Sequence, residues 1–351
     1  MGSLTVRSTI RRVLTTTLFG ISFGVVAAAA SSAEQNAPLQ PPVTVKLGTF
    51  RSLSDGAAAV AVGKGYFEEQ GLNIEFVQFA NSGEAMQALG LGQIDALTGP
   101  VNAGLFNVLL RKIPLKIVAT AGDQPKGSGT IALVLREDIV EAGRYKTPAD
   151  LKGLKLSVPG RTSAAHFFLK ELAAQGGLTL KDLDLTHLGL PEGVPAMANK
   201  SLDGVATIEP YVTMTVTEVP GRRVVGMDEV TPGFPVSYLL YSSDFAEQSP
   251  EAANRFMVAY IKGGRDYGAA FSDKKVDQEA ILKVLKEQGI PATATSIPPH
   301  IAYNGEPSFE GVDAFTDWLL EEGVISQKLD LREYVDDSYR QHALKILQEG
   351  Q

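Results

Sequence analysis

Two short polar segments stand where a predicted strand gives way to a predicted helix. One contains Asn81, Ser82 and Gly83, and the other contains Thr162 and Ser163. The first turn of a helix has N–H groups without intrahelical partners, and these groups favour an anion. Ser or Thr before a helix is also the ordinary way to cap it, which explains either segment alone. The matching positions of the two segments favour a pair of N–H clusters that face each other across a cleft.

Helix ends alone bind an anion too weakly to make a site. Each end contributes about 0.3–1 kcal/mol, or about 2 kcal/mol when partly buried, whereas micromolar binding requires about 8 kcal/mol. Arg161 could add about 1.5–3 kcal/mol by binding a sulfonate or carboxylate in bidentate fashion, or it is a solvent-facing loop residue. Burial of about 150 Å² of an organic ligand would add about 4 kcal/mol. The candidates for an apolar wall are Phe50, Phe79, Tyr211 and Phe234.

The residue patterns that enzymes and metal sites require are missing. The chain has no Cys, and its four His residues (His166, His187, His300 and His342) lack metal-ligand spacing. There is no G-x-S-x-G segment and no P-loop. His166 lies one helical turn after Ser163 and could contact a ligand, although the pattern favours a core or surface role. We therefore expect a binding protein without catalytic residues, metal or cofactor.

Alternating strand and helix patterns position the polar segments. Strand periodicity is present at 43–50 and 73–79, and further strands are expected at 94–99 and 113–121. Ser54, Asp55 and Gly56 are expected to cap the helix after the first strand. Strands and helices joined by short loops are typical of a parallel α/β sheet covered on both faces.

The same plan begins again after residue 138. Residues 193–203 repeat the order of residues 83–95, in which a Gly is followed by a Met-containing helix and an Asp before an apolar strand. This repetition predicts two similar lobes. VSYLLYSSDF (236–245) resembles TIALVLRED (130–138), so we expect these segments to lie side by side after two crossovers between lobes.

The first 33 residues have the pattern of a secretory signal peptide. Three arginines precede an uncharged apolar run from Val13 to Ala30, and Ser31, Ser32 and Ala33 supply small residues for cleavage. A retained membrane anchor is the alternative. Residues 34–42 have the composition of a linker. Export with cleavage places the protein in the periplasm.

The charge of the exported part restricts its partners. Residues 1–33 carry three Arg and no acid, so cleavage changes the net charge from −8 to −11, with 29 basic against 40 acidic side chains. An acidic protein is a poor partner for nucleic acid or anionic lipid. Because Cys is absent, core burial alone must stabilise the fold, and a chain of this length is sufficient for that.

Four segments together resemble a known family. They are GYFEEQGLNIEF, then SGEAMQAL with QIDALTG, then DLKGLKLSVPG with GRTSAAHFFLKEL, and finally LDGVATIEPY. In this order, within residues 43–245, the chain is similar to the periplasmic substrate-binding proteins of nitrate, sulfonate and taurine type ABC importers. That family also includes binders of thiamine-precursor pyrimidines. The resemblance implies an α/β, two-lobe periplasmic-binding-protein fold of type II, with the ligand cleft between the lobes.

The resemblance also implies which residues contact the ligand. In lobe one they follow the first three strands and are Leu53, Ser54, Asn81, Ser82, Gly83, Thr98, Gly99 and Asn102. In lobe two they are Arg161, Thr162, Ser163, Glu209 and Tyr211. In the family, a residue such as Glu209 can meet an amine or amide of the ligand, but pairing of Glu209 with Arg161 or Lys200 is equally consistent with the sequence. Ile208 replaces an aromatic residue of many relatives, which leaves the ligand open.

These features together predict the organisation and function of the protein. Lobe one comprises 43–140 and 236–351, where the C-terminal helices cover it, and lobe two comprises 141–235. We expect a monomeric, extracytoplasmic solute-binding component that captures a small organic anion, sulfonate-like or carboxylate-like. It would deliver this small-molecule ligand to an ABC permease of the inner membrane and its ATPase. The alternatives are a binder of a pyrimidine or other nitrogenous thiamine-precursor-like ligand, an enzyme on the same fold, and a sensory module.

Overall fold

The computed structural model describes residues 2, 37–79 and 81–349. Leu39–Gln351 form one compact unit. Apart from Gly2, the predicted signal peptide lies outside the described residues, as does the first part of the predicted linker. None of the helices in the described ranges is long and apolar enough to cross a membrane.

Two five-stranded sheets form the centre of the described structure. Their strands, in chain order, are β1 (Val43–Thr49), β2 (Leu72–Gln78), β3 (Ala96–Pro100), β4 (Leu115–Gln124), β5 (Ile131–Arg136), β6 (Lys155–Val158), β7 (Asp184–His187), β8 (Gly204–Ile208), β9 (Gly221–Gly226) and β10 (Phe234–Ser242). Sheet one has the order β2-β1-β3-β10-β4, and sheet two has the order β7-β6-β8-β5-β9. We call each sheet with its covering helices a lobe.

Each sheet combines parallel strands with one antiparallel strand. In sheet one, β1 runs parallel to β2 and β3, while β10 is antiparallel to β3 and β4. In sheet two, β6 runs parallel to β7 and β8, while β5 is antiparallel to β8 and β9. The chain therefore crosses from lobe one to lobe two between β4 and β5, and returns between β9 and β10. The two predicted crossovers are present.

Helices cover both sheets. They are α1 (Gly56–Gly63), α2 (Ser82–Gly90), α3 (Ala103–Leu110), α4 (Glu137–Glu141), α5 (Ala164–Gln175), α6 (Leu190–Ala198), α7 (Tyr211–Thr217), α8 (Met227–Val230), α9 (Ser243–Gln248), α10 (Pro250–Phe271), α11 (Gln278–Glu287), α12 (Val312–Glu321) and α13 (Ser338–Glu349). Four-residue and shorter 3₁₀ turns, including Leu53–Asp55 and Pro148–Leu151, connect some of them.

The long helix α10 packs closely against α1 in lobe one. A Cβ atom on Gly56 would lie 2.3 Å from the Tyr267 ring, and one on Gly263 would lie 2.2 Å from the Ala57 carbonyl oxygen. Real side chains cannot come this close, so glycine at both positions allows the two helices to approach. This contact fixes the start of α1, beside the loop that follows β1.

One C-terminal helix does more than cover lobe one. In α12, the Phe315 ring lies 5.7 Å from Phe106 of α3 in lobe one and 5.2 Å from Phe167 of α5 in lobe two. Phe234, at the start of β10, lies 5.6 Å from Phe315 and 5.7 Å from Phe167. The prediction that the C-terminal helices cover lobe one is therefore incomplete, because α12 also packs on lobe two.

The predicted topology differs from the structure in four details. The sheets are mixed rather than parallel, and β5 belongs to sheet two although residues up to 140 were predicted in lobe one. Consequently, 130–138 and 236–245 lie in different sheets and not side by side. Strand β9 has no counterpart among the predicted strands. An apolar run predicts a buried strand but not its direction or its neighbours, since those depend on distant pairing.

Candidate functional site

The predicted lobe-one segments cap two helices. Asn81 precedes α2 and its Oδ1 accepts a hydrogen bond from the Glu84 N–H at 2.9 Å. Asn102 precedes α3, and its Oδ1 accepts from the N–H groups of Gly104 at 2.9 Å and Leu105 at 3.3 Å. The Asn102 amide donates to Ser82 Oγ at 2.8 Å, which joins the two helix starts. Both Asn side chains therefore use their oxygen for capping.

The neighbouring Gly83, Thr98 and Gly99 have different surroundings. Gly83 is exposed, and a Cβ there would meet little. Gly99 is buried in β3, and a Cβ would lie 2.5 Å from Leu240, so this glycine serves the packing of β3 against β10. Thr98 is also buried, and in the part of the chain that the structure describes its Oγ1 has no hydrogen-bond partner. Of the three residues, Thr98 alone presents a buried polar atom that remains unsatisfied.

The predicted lobe-two segment forms the start of α5. Ser163 Oγ accepts a hydrogen bond from the His166 N–H at 3.1 Å, and the Thr162 N–H donates to His166 Nδ1 at 3.1 Å. Thr162 has a left-handed backbone with φ of 60°, a conformation that is strained for a residue with a branched side chain. Arg161 is exposed, and no ion pair joins it to Glu209 in the described part of the chain.

His166 belongs to the packed core beside α5. It is buried, and its ring lies 5.2 Å from Trp318 of α12 and 5.5 Å from His187 of β7. Burial lowers the pKa of His166 to about 4, with smaller effects from His187 and Arg161. A neutral imidazole also fits the acceptor role of Nδ1 toward Thr162. Of the two roles left open by the sequence, the structure shows the core role.

Glu209 is buried and fully engaged within the protein. Its carboxylate accepts hydrogen bonds from Thr213 Oγ1 at 2.8 Å, the Thr213 N–H at 3.0 Å and the Ile297 N–H at 2.9 Å. Burial raises the pKa of Glu209, and these hydrogen bonds oppose that increase. Lys200, one of the partners considered from the sequence, lies 3.9 Å from Asp138 instead. Glu209 thus connects lobe two to the segment after α11.

A second buried carboxyl lies in the loop after β1, next to the predicted contacts Leu53 and Ser54, which are both buried. Asp55 Oδ2 accepts a hydrogen bond from the Ser52 N–H at 2.8 Å, whereas Oδ1 has no hydrogen-bond partner among the described residues. Burial raises the pKa of Asp55 to about 6, although nearby N–H and hydroxyl groups oppose the increase. The sequence predicted Asp55 only as a cap of α1. Its side chain makes no capping hydrogen bond to that helix.

A cavity of about 520 Å³ lies between the lobes at the carboxyl ends of their strands. It is lined by Phe50, Arg51, Gln78, Tyr211, Glu287, Gln288, Gly289 and Pro291. Phe50 follows β1, Gln78 ends β2, and Tyr211 comes shortly after β8, so both sheets contribute. Open α/β sheets bind ligands at this edge. Tyr211 and Phe50 were predicted from the sequence, whereas Arg51 was not.

The cavity has one cationic side chain from the loop after β1. The Arg51 guanidinium lies 4.5 Å from the centre of the Phe76 ring and donates a hydrogen bond to the Gln288 carbonyl. Arg51 has a left-handed backbone with φ of 54°, which the Arg51 N–H supports by donating to Thr49 Oγ1 at 3.0 Å. Its planar guanidinium is suited to a carboxylate or sulfonate. The sequence signal for Arg51 was only its position beside Phe50.

The remaining predicted site residues do not line this cavity. The starts of α2, α3 and α5 lie outside the lining residues, and Phe234 is fully buried between the lobes. Phe79 is half-buried and packs near Gly48. No group of three or more His, Cys, Asp or Glu side chains that could hold a metal ion occurs in the described ranges.

Polar contacts hold the two crossovers. His300 Nδ1 lies 2.7 Å from Asp123 at the end of β4, and this carboxylate raises the pKa of His300. The Gly127 N–H donates to Asp228 Oδ2 at 2.8 Å, which ties one crossover to the other. Together with the Glu209–Ile297 hydrogen bond, these contacts join the crossovers, lobe two and the segment after α11.

Comparison with known proteins gives consistent matches. Residues 39–267 match the NMT1-like family. A Brucella abortus protein, named only as a binding protein, is 28% identical over 233 residues, which cover 65% of this chain and 68% of that protein. The nitrate/nitrite binding protein NrtA of Nostoc sp. is 22% identical over 275 residues, covering 75% of this chain and 61% of NrtA.

Solved structures share the fold at low sequence identity. The periplasmic aliphatic sulphonate binding protein SsuA from Escherichia coli has a TM-score of 0.66 and 20% identity, over 85% of this chain and 99% of SsuA. The desulfurization enzyme DSZB has a TM-score of 0.61 and 14% identity, over 86% of this chain and 99% of DSZB. The predicted α/β fold of periplasmic binding proteins is confirmed. Binding proteins and an enzyme both use it.

Proposed function

Because the chain belongs to the NMT1-like family, we propose that it is the extracytoplasmic solute-binding component of an ABC importer. It captures a small organic anion in the cavity between its lobes and delivers it to an inner-membrane permease with its ATPase. This proposal is supported chiefly by one observation, which is that residues at or shortly after the ends of β1, β2 and β8 line one cavity, so that both sheets could contact the same ligand. A ligand held from both sides stabilises the closed arrangement because its affinity for that arrangement is higher.

Two expected contributions supply most, but not all, of the free energy that binding of such a ligand requires. Binding at micromolar concentration requires about 8 kcal/mol. A hydrogen-bonded pair with a cationic side chain such as Arg51 contributes about 1.5–3 kcal/mol. Burial of about 150 Å² of ligand against Phe50 and Tyr211 contributes about 4 kcal/mol. The α2 and α5 starts and Arg161, predicted as contacts from the sequence, remain part of the proposal for a more closed form.

Ligand binding can be followed with the single tryptophan of the chain. Trp318 lies on α12 and packs against His166 and Phe167 of lobe two, so its fluorescence reports on the contact between lobes. Purified protein is titrated with ethanesulfonate, nitrate, benzoate and an aminopyrimidine while fluorescence and thermal stability are recorded. At least one of these should raise the melting temperature. If none does, the importer function is wrong.

Two substitutions then locate the site. Arg51→Ala should weaken binding of an anionic ligand by tenfold or more, which corresponds to about 1.5–3 kcal/mol. Arg161→Ala tests the second proposed contact in the same way and should have a similar effect. Lys181→Ala, a change in the 3₁₀ turn Leu180–Asp182 of lobe two, is the control and should leave affinity unchanged. Unchanged affinity in both Arg variants would contradict the anion site.

A further inference from the structure

The ring of Phe76 supports the guanidinium of Arg51. Phe76 lies on β2 opposite Leu47 of β1, and Arg51 follows β1, so two neighbouring parallel strands supply the ring and the cation. Arg51 Cζ lies 4.5 Å from the ring centre. A guanidinium at this distance is attracted by the electron-rich face of the ring. Phe76 itself is half-buried and lies outside the lining residues of the cavity.

The C-terminus of α11 holds the same guanidinium through a hydrogen bond. Arg51 Nη1 donates to the carbonyl of Gln288, the residue that follows α11 as its C-cap. Carbonyl groups at a helix C-terminus lack intrahelical partners and attract cations. Gly289 comes next with a left-handed φ of 77°, and a Cβ atom there would lie 3.8 Å from Cδ, Nε and Cζ of Arg51. Glycine at this position therefore ends α11 and also leaves space for the arginine side chain.

These contacts order the Arg51 side chain before a ligand binds. An arginine in solvent occupies many rotamers, and fixing one of them on binding costs free energy. Here the Phe76 ring and the Gln288 carbonyl fix the guanidinium in the folded protein, and the bond from the Arg51 N–H to Thr49 Oγ1 fixes the backbone that carries it. Most of the loss of freedom therefore occurs on folding, which leaves a stronger interaction for the anion.

The stacked arrangement leaves N–H groups for a ligand. Stacking uses the face of the guanidinium, whereas its N–H groups point outward in the plane. Within the described part of the chain, the Gln288 carbonyl accepts the one hydrogen bond that the guanidinium donates. Because Arg51 lines the cavity, the N–H groups of Nε and Nη2 remain for two oxygen atoms of a carboxylate or sulfonate there.

From these contacts, and on the premise of the proposed function, we infer that Phe76 is a positioning residue for anion binding. Phe76 acts through Arg51, because its ring holds the guanidinium in the orientation in which the remaining N–H groups serve the cavity. The alternative is that Arg51 acts only as a stabilising cap of α11. In that case, loss of the Phe76 ring would change the free energy of unfolding and leave the preference for an anion unchanged.

Matched pairs of probes measure the contribution of Arg51 by calorimetry with the purified protein. Benzoate is compared with benzamide, and ethanesulfonate with ethanesulfonamide, because the members of each pair differ in the anionic group. In the wild type, at least one anion should bind about ten times more tightly than its amide. In Phe76→Leu this preference should fall by about threefold to tenfold, because Arg51 then becomes ordered only when the anion binds. Phe76→Met also removes the ring and takes the place of Phe76→Leu if the latter does not fold.

Two further variants distinguish positioning from packing. Phe76→Tyr keeps an aromatic face beside the guanidinium, so its preference for the anion should stay within about twofold of the wild type. In an Arg51→Ala protein, Phe76→Leu should cause no additional loss of affinity, because the effect of Phe76 passes through Arg51. Urea denaturation of each variant separates changes in the free energy of unfolding from changes in affinity.

The control is Tyr303→Leu. Arg265 Cζ also lies 4.5 Å from the centre of the Tyr303 ring, and both residues lie outside the lining of the cavity. The substitution removes an arginine–aromatic contact of the same length as that of Arg51 with Phe76. It should leave the preference for the anion intact.

Several results would overturn the inference while leaving the binding function in place. They are equal affinity of the wild type for both members of each pair, an unchanged preference in Phe76→Leu, and an equal loss of preference in Phe76→Tyr or Tyr303→Leu. An additional loss of affinity from Phe76→Leu in the Arg51→Ala protein would also overturn it. If none of these probes and none of the earlier panel binds, the proposed function fails first and the inference fails with it.

Discussion

Substitution of Asp55 by Asn should make the ligand-free protein more stable. Burial raises the pKa of Asp55 from 3.8 to about 6, which means that the folded state opposes its ionisation. The folded state therefore binds a proton more tightly than the unfolded state, and stability falls as pH rises through this interval. An asparagine at this position would have no charge to bury, and its amide group could donate toward the hydroxyl of Thr98.

The magnitude follows from the pKa difference. Since one pKa unit corresponds to about 1.4 kcal/mol, the full cost of ionised Asp55 is roughly 3 kcal/mol at pH 7.5 and about 1.6 kcal/mol at pH 5. The Asn variant should be more stable by these amounts, and its advantage should grow by about 1.4 kcal/mol between the two pH values. Urea denaturation followed by Trp318 fluorescence measures the free energy of unfolding of each protein.

An aspartate with the opposite pKa change provides the control. Asp150 is partly exposed and accepts hydrogen bonds from the N–H groups of Thr147 and Lys146, which lower its pKa. Asp150→Asn should therefore destabilise the protein, and more so above its ordinary pKa than below. The description of Asp55 as a buried and unsatisfied carboxylate would be wrong if Asp55→Asn is less stable than the wild type at pH 7.5. It would also be wrong if the gain in the free energy of unfolding does not change with pH.

Three further predictions concern the packing, the hinge and a helix start. Phe315→Ala should lower the free energy of unfolding by about 3–5 kcal/mol, because the ring is buried among aromatic residues of both lobes. Urea denaturation measures this loss, and a value below about 1 kcal/mol would contradict the role of Phe315 in packing. Asp123 raises the pKa of His300, so the pair of protonated His300 and Asp123 stabilises the folded state. This stabilisation is complete below the ordinary pKa of histidine and is lost as pH rises through the raised pKa of His300. His300→Gln should thus lower the melting temperature more at pH 6 than at pH 9, and equal losses would refute the pairing. Asn102→Ala should lower the free energy of unfolding by about 1 kcal/mol because it removes the cap of α3, whereas Asn102→Asp should retain most of the cap. Equal losses of stability in the two variants would argue against capping by Asn102.

Local sequence patterns predicted those parts of the fold that depend on nearby residues. The strands and helices from β1 to β3 follow from periodicity and capping residues such as Asn81. Neither the insertion of β10 between β3 and β4 nor the place of β5 in sheet two has a local signal. The same holds for Phe315, whose apolar helix face is evident but whose contacts with Phe106 and Phe167 depend on the whole topology.

Some residues of the candidate site could likewise be predicted from the local sequence, whereas others depend on distant contacts. Tyr211 and Phe50 could be predicted because strand ends in this fold meet at one edge. Glu209 could be identified as a polar residue near that edge. Its carboxylate also accepts a hydrogen bond from the Ile297 N–H, which is 88 residues away and has no local sequence signal. Asp55 was predicted as a helix cap, because its neighbours in sequence do not reveal that Thr98 of another strand lies beside it.

The central position of β10 determines the order in which the lobes can be completed during synthesis. Sheet two is built from one continuous stretch, Ile131–Gly226, so all its strands are available before β10 has been translated. Sheet one has its first four strands earlier, but β3 and β4 cannot be joined until Phe234–Ser242 inserts between them. Until then, each has an unpaired edge that could associate with other chains. The lobe that begins first is therefore finished last, and the period between translation of β4 and β10 is when this chain most needs protection from aggregation.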